Sequence, residues 1–227
     1  MGNDIWIVSA KRTPIGRFQG LLQPYSAPQL GAFAIKAAMK SLGENVLSET
    51  VIDEVLMGCV LPAGCGQAPA RQAALGAGLP PSIGCTTINK VCGSGMKSVM
   101  LAHDLIKAGT IRTAVAGGME SMTNAPYLLK EARNGMRLGH HSTYDHMFLD
   151  GLQDAYEGHL MGVYAQQIAD SSNSAVRKWM SGQPCLQNER WKRKSVVCLM
   201  MKLHQLKSVQ KQPQPTSIMM SILAPSI

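Results

Sequence analysis

One short stretch constrains this chain more than any other. Ile83-Gly84-Cys85-Thr86-Thr87-Ile88 is compact and β-branched, and Asn89-Lys90-Val91-Cys92-Gly93-Ser94-Gly95-Met96 follows it directly. The first part reads as a strand. After the second, Met96, Val99, Met100, His103 and Ile106 recur at helical spacing until Gly109. A cysteine therefore sits on a turn between a strand and a helix. Gly93 and Gly95 permit backbone angles and close approach that other residues resist. A helix start leaves amides unpaired toward the sulfur, and Lys90 and Lys97 add positive potential. This is the setting in which a cysteine becomes a nucleophile. The competing reading is a buried structural cysteine on a glycine turn.

The remaining elements alternate. Ile5-Trp6-Ile7-Val8 reads as a buried strand, closed by a turn at Thr13-Pro14-Ile15-Gly16. A helix is expected from Ser26, with Pro28 tolerated in its first turn, Leu30, Phe33, Ala34, Ala37 and Ala38 on one face, and Gly43 as its stop. Val55–Leu61 reads as a strand. Ala68–Ala77 suits a helix of small residues able to pack closely. Thr113–Ala116 is a further strand, closed by Gly117-Gly118. Strands and helices alternating at these lengths predict an α/β fold with a mostly parallel sheet between helices.

Met119 to about Tyr164 breaks the alternation and reads as an excursion from the sheet. Its His140, His141 and His146 resemble a metal set only superficially. Adjacent histidines diverge on most backbones, and Asp145 is the sole acidic neighbour at ligand spacing. Surface or phosphate-facing histidines are the expectation, and no metal site is. Gly76-Ala77-Gly78-Leu79-Pro80-Pro81 fails as a dinucleotide loop, because Pro81 stands where a third glycine is needed.

Charge divides the chain. Residues 1–170 hold 13 Lys and Arg against 13 Asp and Glu, whereas residues 171–227 hold nine against the single Glu189. Of 22 glycines only Gly182 lies beyond residue 170. The basic stretch reads as a disordered tail or as a nucleic-acid-binding arm; the first is the expectation. The six cysteines include no C-x-x-C pair, so free thiols in a reducing compartment are expected. No run of eighteen apolar residues is present and the start lacks a basic-then-apolar leader, which predicts a cytoplasmic, non-membrane protein.

The string from Asn89 to Ser98 resembles the nucleophile motif of the thiolases, the acetyl-CoA acetyltransferases and 3-ketoacyl-CoA thiolases. Ile7–Phe18, Pro69–Pro80, Val115–Leu129 and Asp145–Gly162 resemble further landmarks of that family in the same order. The resemblance covers about residues 4–170. It implies the N-terminal half of a thiolase-like fold: a core domain over 1–118, part of a loop domain over 119–170, and an aberrant basic tail over 171–227. It implies acetyl-CoA C-acetyltransferase chemistry, either thiolysis of 3-ketoacyl-CoA or condensation of two acetyl-CoA, through an acyl-thioester on Cys92. Met161 matches a methionine lining the acyl pocket. Leu160 stands where many short-chain members carry a histidine, with His159 one place earlier. The family needs no metal or redox cofactor, since coenzyme A is a substrate. Its partners are acyl-CoA and coenzyme A, and its members form homotetramers.

The family's second half supplies a Gly-His-Pro histidine, an Asn-Glu-Ala-Phe asparagine and a Cys-x-Gly cysteine, and none follows residue 170. His204, Cys185 and Cys198 lie in other contexts. One codon choice for Ala175–Gln183, read after skipping two bases, gives Arg-Glu-Lys-Met-Asp-Glu-Trp-Ala, which resembles the helix that follows in thiolases. A frameshift near residue 170 is therefore expected. The alternative to an active acyltransferase is a catalytically dead remnant. A carrier-dependent condensing enzyme and a cysteine hydrolase fit the motifs less well.

Overall fold

The computed structural model describes residues 4–43, 52–172 and 194–203, the last through its backbone alone. Five strands form one sheet in the order β1 (Ile5–Pro14), β7 (Lys194–Leu203), β4 (Thr113–Gly118), β2 (Glu54–Gly58), β3 (Gly84–Ile88). β2 pairs in parallel with both β3 and β4. β7 runs antiparallel to β1 and β4, so the other four strands share one direction. β5 (Tyr127–Leu128) and β6 (Tyr144–Asp145) form a small separate ribbon within the excursion after β4.

Helices cover both faces, and the alternation of side chains along the strands decides which residues meet which helix. Val55 and Met57 of β2 and Val115 of β4 join α1 (Ala27–Lys40) and α2 (Pro69–Gly76) in one core. Leu56, Ala114 and Ala116 point the other way and pack with Ala102 and Ile106 of α3 (Ser94–Lys107). The small residues of α2 do allow close packing: a Cβ on Gly76 would meet Ala32 at 3.1 Å. Ser26 caps α1 in a reciprocal box with Gln29, which fixes where that helix begins. Asp53 holds the start of β4 by accepting from the amides of Arg112 and Thr113 at 2.7 and 2.9 Å.

Several expectations need correction. Phe33 and Ala37 of α1 are exposed, and Ile35 is buried in their place. The buried stripe runs through Ala27, Leu30, Gly31, Ala34, Ile35 and Ala38, at helical spacing, and leaves Phe33 and Ala37 outside it. On α3 the buried face is Ser94, Ser98, Ala102 and Ile106, while Met96 and Met100 are 64% and 51% exposed. Ser94 rests against Gly58 and Ser98 on the Gly117 carbonyl, so close approach selects small side chains at the start of the helix, and Ile106 packs with Ala114 and Ala116 further along. β1 extends through Thr13-Pro14, and the turn falls later, at Arg17–Gly20, where the Gly20 amide donates to the Arg17 carbonyl at 2.9 Å. The tail expected to be disordered contributes β7 at Lys194–Leu203. Val196–Met201 supplies the β-branched and apolar run that a strand requires. The rest of residues 173–227 lies outside the described residues.

Candidate active site

The parallel strands β2, β3 and β4 end side by side, with Gly58 in register with both Ile88 and Gly118. Two further amides extend the ladder: Cys59 N–H donates to the Ile88 carbonyl and Met119 N–H to the Gly58 carbonyl. The carboxyl ends of parallel strands are the edge where α/β proteins hold ligands. The start of α3 lies across this edge at contact distance. A Cβ on Gly58 would lie 2.6 Å from the Ser94 carbonyl carbon, and one on Gly118 would lie 3.2 Å from the Gly95 Cα. Ser98 Oγ, fully buried, sits 2.6 Å from the carbonyl oxygens of both Gly95 and Gly117. Glycines on strands and helix together let a backbone rest on a backbone.

Cys92 occupies the turn immediately before this helix and is exposed. Val91 ahead of it is held at φ +45°, an unusual conformation for a β-branched residue. Three contacts grip it. Asn89 Oδ1 accepts from the Val91 amide at 2.9 Å, Ser94 Oγ donates to the Val91 carbonyl at 2.6 Å, and the Ser94 amide reaches that carbonyl at 3.1 Å. Two amides expected to stand open toward the sulfur are thus occupied, since Gly93 N–H closes on the Lys90 carbonyl and Ser94 N–H on that of Val91. Among the described residues, no side chain hydrogen-bonds to Cys92.

A second polar cluster borders the turn, and sequence reading assigned it no role. Glu120 Oε2 accepts from the Val60 amide at 2.7 Å and Oε1 from the Leu61 amide at 3.2 Å, while Cys59 Sγ lies 3.7 Å from Oε1. Burial pushes the Glu120 carboxyl above the usual carboxylate range, against the pull of those two amides. Burial, reinforced by the Glu120 charge, pushes the Cys59 thiol up to about 12. Burial also raises Cys65 and Cys85. The signal that could have marked Glu120 is a lone acid two residues beyond a glycine-ended buried strand.

His146 is buried, unlike the surface histidine expected, whereas His140 and His141 are exposed. Its Nε2 accepts from the Ala63 amide at 3.3 Å, which leaves Nδ1 to donate to Asp150 at 2.6 Å. Glu120 and His146 therefore hold one loop, 59–68, at its start and at its middle. Met161 opens α4 (Met161–Ser171) and is 45% exposed; no described contact joins it to Cys92. Among the described residues, no group of three or more His, Cys, Asp or Glu could hold a metal ion, and no helix is long and apolar enough to cross a membrane.

Comparison with known proteins gives the chain's relatives. The family described as "Thiolase, N-terminal domain" matches residues 5–178. The chain is 52% identical over 167 residues to "Acetyl-CoA acetyltransferase 1" of Arabidopsis thaliana, covering 74% of this chain and 40% of the relative. It is 49% identical over 166 residues to "Acetyl-CoA acetyltransferase" of Cupriavidus necator, covering 73% and 42%. Similarity to "Acetyl-CoA acetyltransferase IA" of Candida tropicalis is 44% over 196 residues, 83% of this chain and 48% of the relative. The chain thus spans less than half the length of these curated relatives.

Proposed function

The chain belongs to the thiolase family through that family's N-terminal domain, and on this premise we propose that it is the nucleophile-bearing part of an acetyl-CoA C-acetyltransferase. The observation that supports this most is the placement of Cys92. It is an exposed thiol on a gripped turn, where a helix begins over the ends of three parallel strands.

In this reading the Cys92 sulfur attacks the carbonyl carbon of an acyl-CoA thioester. Coenzyme A leaves as its thiolate, and the acyl group remains on Cys92 as a thioester. Exchange between thioesters is nearly balanced in energy, so the step runs in either direction. Completing a Claisen condensation or thiolysis also requires a base for the acetyl-CoA methyl group and donors for the developing oxyanion. These 227 residues carry no Gly-His-Pro, Asn-Glu-Ala-Phe or Cys-x-Gly motif to supply them. The chain by itself therefore accepts an acyl group without turning over. Met161 is proposed as a lining residue of the acyl site, with coenzyme A as substrate and no added cofactor. A cytoplasmic setting is supported by the free thiols of Cys59, Cys65, Cys85 and Cys92. Assembly into homo-oligomers rests on the family resemblance.

The test is incubation of the 227-residue chain with acetyl-CoA, followed by peptide mass mapping. An acetyl group on the Cys92 peptide, absent in Cys92→Ser, is expected, with acetoacetyl-CoA cleavage at background. Acetylation elsewhere, or none, refutes the nucleophile assignment. Sustained cleavage refutes the claim that the chain cannot turn over, because losing even one oxyanion donor costs about 100- to 1,000-fold.

A further inference from the structure

We propose that Glu120 is a positioning residue for Cys92, acting through the backbone of Val60 and the side chain of Asn89. The inference rests on the reading of Cys92 as nucleophile and deepens it. Glu120 lies just past the end of β4, and its carboxylate accepts from the amides of both Val60 and Leu61, just past the end of β2. Amides leaving the end of a strand have lost their ladder partner. One carboxylate satisfies two of them with charge-assisted bonds.

The segment fixed in this way presents the Val60 carbonyl toward the nucleophile turn. Asn89 Nδ2 donates to that carbonyl at 3.3 Å, while Oδ1 of the same amide accepts from Val91 N–H at 2.9 Å. The two bonds together set which way the Asn89 amide faces, because a flip would place a donor against a donor and an acceptor against an acceptor. Asn89 is thereby a rigid bridge between the Val60 carbonyl and the peptide that precedes Cys92. It is also one of the groups that keep Val91 in its left-handed conformation, which persists only where the surroundings over-determine it. His146 holds the same loop at a third point, through the Ala63 amide. The loop therefore cannot follow the turn if the turn drifts. Displacing the turn moves the sulfur off the start of α3, whose N-terminal field promotes attack by a sulfur anion.

The test is the iodoacetamide alkylation rate of each cysteine in the full chain, followed by peptide mapping. Wild type is compared with Glu120→Ala, Glu120→Gln, Asn89→Ala and the Glu120→Ala/Asn89→Ala double variant. Glu120→Ala is expected to slow Cys92 by about tenfold while Cys59 stays unlabelled. Glu120→Gln keeps one accepting oxygen, for the Val60 amide, and sets its NH2 against the Leu61 amide, so partial recovery is expected, with a rate between those of Glu120→Ala and wild type. Since the two residues act in series, the double variant should be no slower than Asn89→Ala alone. Losses that multiply, or a Cys92 rate within twofold of wild type in Glu120→Ala, overturn the proposal. If Glu120→Ala exposes Cys59 to label, the remaining two single variants decide, and wild-type Cys92 rates in both overturn it. Absence of acetylation of wild-type Cys92 by acetyl-CoA would refute the acyltransferase reading instead, and would leave this coupling to stand or fall on its own rates.

Discussion

Gly58 and Ser94 approach so closely that a single methyl group between them has nowhere to go: the Cβ of any residue at 58 would lie 2.6 Å from the Ser94 carbonyl carbon and 2.7 Å from the Gly95 amide nitrogen. Both obstructing atoms are backbone, so no side chain can swing aside. Gly58→Ala is expected to lift the start of α3 from the sheet edge and cost about 1–3 kcal/mol. Urea unfolding measures this, and a midpoint equal to wild type would show that the strand and helix are free to separate.

The two faces of α3 differ in what they lose on truncation. Ile106 is fully buried against Leu56, Ala114 and Ala116, so Ile106→Ala should destabilise by about 2–5 kcal/mol. Met100 is half exposed, and Met100→Gln should change stability by less than about 0.5 kcal/mol. Met96 and Met100 instead leave an apolar strip open to water. Binding of a hydrophobic dye by wild type, reduced in the Met96→Gln/Met100→Gln double variant, is the expected outcome of a fluorescence titration.

Alkaline stability should depend on Cys59. Its thiol ionises at an ordinary 9.0 when unfolded and near 12 when folded. Between those values the folded chain keeps a proton that the unfolded chain releases. The stabilising contribution is therefore complete below about pH 9 and is lost as pH rises toward 12. Cys59→Ala should lower stability at pH 7 through the lost volume, yet show a shallower fall from pH 9 to 11. Equal slopes in urea titrations at both pH values would refute this.

The charge break near residue 170 predicts a change of reading frame in the gene. Sequencing codons 165–180 should reveal one. An intact frame reproduced in independent clones would make the basic stretch a selected sequence.

Much of this was legible before any coordinates. The Ile83–Ile88 strand, the Cys92 turn and the α3 boundaries follow from local pattern, because β-branching, glycine and helical period act within a few residues. The buried face of α3 was not legible, because Gly58, Gly117 and the alanines of β4 decide it from outside the helix. Nor was Glu120, whose partners Val60 and Leu61 lie about sixty residues earlier. His146 looked like a surface residue because its neighbours His140 and His141 are. Only the loop folded over it explains the difference.

The position of β7 sets a timetable. Among the described residues β1 pairs with β7 and with no other strand, so residues 5–14 wait for residues 194–203 before this ladder can form. At about 5–20 residues per second, a ribosome needs roughly 10–40 s to make the intervening chain. Throughout that interval the first strand synthesised is the last to be paired. A newborn chain shows its surroundings an open strand edge, with Trp6, Ile7 and Val8 upon it, for longer than most small domains take to fold.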